Sequence, residues 1–159
     1  MIKTKSGSLN GDDYRKGALE RLDDALILLR AGQFSGSVSD AGRAVEGMLR
    51  AVIWKRDADI RTGRKSLDTG HNFRELIMHV RNLGLLAALN PEKDNLEDKV
   101  MDLGRLWFNN IRFASSKFVE TRWLRLGEVN KRRSFKQAAE IFYLDCARVL
   151  QRCEILCQK

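Results

Sequence analysis

Proline is nearly missing from this 159-residue chain, where Pro91 is the only one. A proline removes a backbone donor and clashes with the preceding helical turn, so its scarcity favours long helices. Histidine is almost as rare, with only His71 and His79. The three cysteines, Cys146, Cys153 and Cys157, all fall in one C-terminal segment. An odd number so placed is not a disulfide framework. Spaced by seven and four, they share one face of a helix and are expected to pack in the core as small hydrophobes. No pair of histidine, cysteine or acidic residues has a diagnostic ligand spacing, so no metal and no cofactor is expected. Long apolar runs are missing too. Nothing approaches the roughly 20 residues of a membrane span, and the opening MIKTKSGSLNGDD has no apolar run to act as a secretory signal. A cytoplasmic protein without a membrane partner is the expectation.

What is present is periodicity and charge. The length suits one domain, residues 1–159, able to bury a core without metal or disulfide support. After a flexible tail over 1–10, Leu19, Leu22, Leu26 and Leu29 recur at helical spacing, and Gly32 stands where a left-handed C-cap belongs. A second helix follows at once, with Ser37 and Asp40 as a capping box and Val38, Ala41, Val45, Met48 and Val52 as its stripe. So short a connection makes an antiparallel hairpin. Residues 57–71 read as a polar loop. Asn72 and Glu75 cap a third helix carrying Phe73, Leu76, Ile77, Val80 and Leu83. Asn90-Pro91 marks the start of a fourth, with Leu96, Val100, Leu103, Trp107 and Ile111 on one face. Gly104 inside it costs about 1 kcal/mol relative to alanine, which points to close backbone packing. Residues 119–133 read as a loop after an extension of that helix. Ser134 and Gln137 box the last helix, with Phe135, Ala138, Phe142, Cys146, Val149, Cys153 and Leu156 inward. The expectation is an all-α, up-and-down bundle of about five helices.

Of a net charge of +8, +6 falls between Arg112 and Lys136. There Arg112, Lys117, Arg122, Arg125, Lys131, Arg132, Arg133 and Lys136 face only Glu120 and Glu128. Trp107, Phe108, Phe113, Phe118 and Trp123 are interleaved with these cations, with Trp107 and Phe113 assigned to the core face. Aromatic faces plus cations are what single-strand recognition uses, and a concentrated basic surface attracts a polyanion. A solvated loop facing water is the plainer reading. Glu46 flanks the stripe of the second helix and needs a partner, for which Arg50, Arg112 and His71 are the choices.

Several of these segments, taken in order, resemble HEPN domains. ALERLDDALILLRAGQFSGSVSDAGRAVEGMLRAVIW is similar to the opening hairpin of that family. GHNFRELI, from Gly70 to Ile77, resembles its GHdLxxLL segment, and NNIRF, Asn109 to Phe113, lies where members often carry an Arg-Tyr or Arg-Phe pair. The resemblance implies a helical bundle, usually homodimeric, often prokaryotic, associated with RNA cleavage, toxin–antitoxin pairs or defence, or with non-catalytic nucleotide binding. Active members use an arginine and a histidine four to six residues apart, often as RNxxxH. Here FASSKFVE follows Arg112, with no histidine. Arg74 and His79 have the spacing, but five residues turn a helix by about 140° from superposition, and Arg74 lies in the other box. The expectation is therefore a non-catalytic or degenerate HEPN-like module presenting Arg112, Lys117, Arg122, Arg125, Lys131, Arg132 and Arg133 to RNA, a nucleotide or an acidic partner. One alternative is an atypical metal-independent endoribonuclease drawing on His71, Arg74, His79 or Arg112. Another is the interaction subunit of an antitoxin or nucleotidyltransferase pair.

Overall fold

A computed structural model of the chain describes residues 9–67, 72–86 and 95–158. Among them are seven α-helices and no strand: α1 Gly11–Arg30, α2 Phe34–Arg56, α3 Ala58–Arg61, α4 Phe73–Asn82, α5 Leu96–Leu106, α6 Ser116–Arg125 and α7 Phe135–Gln158. A 3-10 turn, Asn109–Phe113, links α5 to α6. The all-α bundle is as expected, and no described helix is long and apolar enough to cross a membrane. The tail over 1–8, His71 and the Asn90-Pro91 helix start lie outside the described residues.

Helix α2 is the axis of the bundle. It packs against α1, α4, α7, α3, α6 and the 3-10 turn, and a helix so surrounded must be apolar or small on most sides. Ala41, Ala44, Val45, Met48, Leu49, Ala51, Val52 and Ile53 are all fully buried. Small residues let its neighbours come close: a β-carbon on Gly47 would stand 3.3 Å from that of Ala18 on α1. The α1–α2 hairpin turns through Gly32, at φ +76°, a left-handed conformation that glycine adopts without steric penalty. At its other end Asn10 caps α1 in a reciprocal box with Asp13. Arg15 reaches Glu154 of α7 at 2.9 Å and Lys55 of α2 reaches Asp12 at 2.8 Å.

Three local readings are corrected. Helix α2 starts at Phe34, so Ser37 is inside it rather than at its cap. The Ser37 hydroxyl is buried and donates to the Ala25 carbonyl of α1 at 2.7 Å, satisfying a polar group that would otherwise be costly there. The 57–71 loop holds a short helix, because Asp57 accepts from the backbone N–H groups of Asp59 and Ile60 and nucleates α3. Most consequentially, the fourth predicted helix stops at Leu106. Trp107 is extended, at φ −103° and ψ 141°. Its indole there donates to the Ser39 carbonyl at 3.1 Å and stacks on Phe73 at 4.7 Å. Residues 116–125, which include the first seven of the expected loop over 119–133, form α6 instead. Ser115 caps it by accepting from Phe118 N–H, while Val119 and Trp123, one turn apart, are buried and Trp123 donates to the Leu106 carbonyl at 3.3 Å.

The last helix follows its prediction closely. Ser134 and Gln137 exchange both capping-box bonds, at 2.9 and 3.2 Å. All seven of its predicted inward residues are buried. Gly104 also packs closely, as a β-carbon there would sit 3.1 Å from that of Phe73.

Candidate nucleic-acid interface

The break after Leu106 determines what the basic stretch presents. An uninterrupted helix would have set Phe113 about 80° around from Leu103, at the edge of the buried stripe. The extended residues and the 3-10 turn instead leave Phe113 75 % exposed, which corrects its assignment to the core. Arg112 places its guanidinium 4.7 Å from the Phe113 ring centroid and donates to Asn109 Oδ1 at 3.2 Å. Phe118, in the first turn of α6, is 55 % exposed.

The predicted binding cations divide into two groups. Arg112, Lys117, Arg125, Lys131 and Arg132 are exposed, and none has a carboxylate partner among the described residues. Arg122 and Arg133 belong to the fold. Arg122 lies 5.0 Å over Phe108 and donates to the Arg105 carbonyl at 3.4 Å, and Arg133 pairs with Glu128 at 3.4 Å. Trp123 is buried, so it drops out of the stacking set, while Trp107 is in the core as expected.

Glu46 pairs with Arg50, at 3.1 Å, rather than with Arg112; His71, its other suggested partner, lies outside the described residues. Arg50 also donates to the Leu67 carbonyl at 2.9 Å, which ties the end of the polar segment to α2. The Arg74–His79 pair does not assemble into one site. His79 Nε2 is 2.7 Å from Asp57 Oδ2, whereas Arg74 lines a cleft with Trp107 and Asn109. Three groups converge on Asp57: the His79 ring and two α3 amides. The bond from His79, followed by those amides, holds the Asp57 carboxyl below its ordinary value.

Two hollows flank the 3-10 turn. One, of about 420 Å³, is lined by Asn72, Arg74, Arg105, Asn109 and the aromatic residues Phe73, Trp107 and Phe108. Among the described residues no carboxylate lines it. The other, of about 220 Å³, lies between α2 and the turn and includes Arg43, Arg112 and Asp40. Burial pushes the Asp40 carboxyl up, against the pull of Arg21 and Arg43, so that hollow is the less suited to an anion. Sequence reading missed the first hollow because its residues come from three separate segments. Only the extended Trp107 and Phe108, which break the helical period, bring them together.

None of the cysteines has an activated thiol. Cys146 and Cys153 are buried and Cys157 half-buried; all are free thiols, and desolvation raises each above the ordinary cysteine range. Among the described residues no group of three His, Cys, Asp or Glu side chains could hold a metal ion. Comparison with protein-family models, curated proteins and solved structures returns no match to this chain.

Proposed function

We propose that this bundle is a non-catalytic, HEPN-like binding module that holds single-stranded RNA on the face formed by the 3-10 turn and α6. The observation that carries the reading is the joint exposure of Phe113 and Phe118 beside Arg112, Lys117 and Arg125, cations without carboxylate partners among the described residues. Rings stack on bases of any sequence, and the cations meet the phosphates between them. The commitment of His79 to Asp57, and its separation from Arg74, favours binding without cleavage.

The test is retention of an RNA pool by Lys117→Ala/Arg125→Ala/Arg132→Ala protein across a salt series. Each lost phosphate contact removes about 0.7 from the slope of log K against log salt for a single strand. The triple variant is expected to bind more weakly with a shallower slope, and an unchanged affinity and slope would sink the reading. Retention of an acidic protein in place of RNA would favour the subunit of an antitoxin or nucleotidyltransferase pair. A second copy of the chain is the partner that the resemblance implies. Ile27 of α1 and Ile141, Leu144 and Ile155 of α7 are exposed apolar residues available to meet it. A solution mass of one 18.2 kDa chain rather than two would remove the dimer.

A further inference from the structure

The cleft beside this face is built from donors. Asn72 Oδ1 accepts from the Arg74 backbone N–H at 3.0 Å, and Asn109 Oδ1 accepts from Arg112 at 3.2 Å. Both amide oxygens are thereby engaged, which leaves both side-chain NH₂ groups as donors without a partner among the described residues. The Arg74 guanidinium also has none. Arg105 gives one nitrogen to Glu128, at 3.1 Å, and keeps other N–H groups of its fork. Glu128 itself lines the neighbouring groove, with Arg133, and not this cleft. Among the described residues, four donor-bearing side chains and no carboxylate thus line a space of about 420 Å³ floored by Phe73 and Trp107. That volume lies in the range of small-ligand pockets, about 300–1,000 Å³.

We propose that the cleft seats a terminal phosphate monoester, that of the RNA strand held on the adjoining face; the strand as its source rests on the function proposed above. The charge argues for an end rather than an internal linkage. An internal phosphodiester carries a single negative charge, whereas a monoester carries about −1.5 to −2 near neutral pH and three acceptor oxygens. Two arginines, one of them shared with Glu128, and two amides match the second. Arginine forks also meet such oxygens in paired bonds. The nucleotide bearing that phosphate then lies against Phe108, which is half-buried and holds the Arg122 guanidinium 5.0 Å from its centroid.

The experiment compares one oligoribonucleotide in three forms, with a 5′-phosphate, with a 3′-phosphate and with neither, together with AMP as the free-nucleotide arm. Affinities are measured by fluorescence anisotropy, or by calorimetry for AMP. One phosphorylated form is expected to bind at least about tenfold more tightly than the unphosphorylated oligonucleotide, a 1.4 kcal/mol difference. Arg74→Ala and Asn109→Asp should erase that preference, and Lys117→Ala/Arg125→Ala should weaken all three forms while preserving it. Arg74 is exposed and its side chain makes no hydrogen bond or ion pair to the described residues, so its substitution tests binding rather than folding. Equal binding of the three forms overturns the terminal-phosphate seat and leaves the strand-binding face standing. Binding of AMP, lost in Arg74→Ala, with no retention of any oligonucleotide keeps the seat but overturns the strand as its source. Binding of neither overturns both.

Discussion

Gly42→Ala tests the placement of Trp107, on which both the cleft and the exposed turn depend. On an ordinary helix the change would add up to about 1 kcal/mol of stability through propensity. Here a β-carbon at position 42 would stand 2.1 Å from Trp107 Cδ1, 2.2 Å from Nε1 and 2.4 Å from Cγ. Contact needs more than 3 Å, so the indole must retreat by over an ångström, from a site where it is 3 % exposed. Overpacking of this kind costs about 1–3 kcal/mol. Loss of the bond to the Ser39 carbonyl adds about 1–3 kcal/mol, and disturbing the stack on Phe73 about 0.5–1.5 kcal/mol. After the propensity gain the net is a loss of roughly 1.5–6.5 kcal/mol. For a chain of this length that is a fall in Tm of roughly 3–25 °C. Gly17→Ala is the internal control: it is also helical, nothing lies within 4 Å of its built β-carbon, and it should gain up to about 1 kcal/mol. Urea unfolding followed by circular dichroism at 222 nm reads both. A Gly42→Ala midpoint at or above that of the parent would refute the packing of Trp107 on α2.

Further expectations concern the surface and the pair at Asp57. Phe113→Ala should leave the urea midpoint within about 0.5 kcal/mol of the parent, as exposed positions do, yet weaken RNA binding by about 1–3 kcal/mol if a base stacks there; a stability loss without a binding loss would return Phe113 to the core. Because the folded Asp57 carboxyl titrates below its ordinary value of 3.8, its contribution is present above that value and is lost as pH falls through the lower folded one. His79→Ala should therefore destabilise near neutrality and make unfolding less sensitive to acid on that side; parallel pH profiles for variant and parent would contradict the pairing. Cys157 should react with a thiol reagent well before Cys146 and Cys153, which are buried, and equal labelling of all three in the native protein would contradict the packing of α7.

The order of helices was legible where apolar spacing was sustained. Helix α7 shows it best, since a capping box and seven inward residues over more than twenty positions leave one consistent answer. Helix α2 was equally plain in its stripe, but its start was read four residues late. Ser37 looks like a cap, and nothing local reveals that its hydroxyl bonds the Ala25 carbonyl across the hairpin. The stretch from Trp107 to Arg125 was the hardest to read. Its helical periodicity runs through Trp107 and Ile111, and the competing term is tertiary: an indole seated between Phe73, Gly42 and the Ser39 carbonyl. Once the helix is broken there, α6 needs only Ser115 as its cap and two buried residues, too few to stand out as a stripe. The site inherits the same division. The exposed cations were visible as a cluster of like charge, but the roles of Phe113, Arg122 and Trp123 depended on the break. So did the cleft of Asn72, Arg74, Arg105 and Asn109, whose members are dispersed along the chain.

Incubation of the purified protein with a mixed RNA pool at two salt concentrations, scored for both cleavage and retention, tests the central claim most directly. The account predicts intact RNA held at low salt and released at high salt, unchanged by His79→Ala or His71→Ala beyond any loss of stability. Cleavage that those substitutions abolish would contradict it and make the protein a ribonuclease.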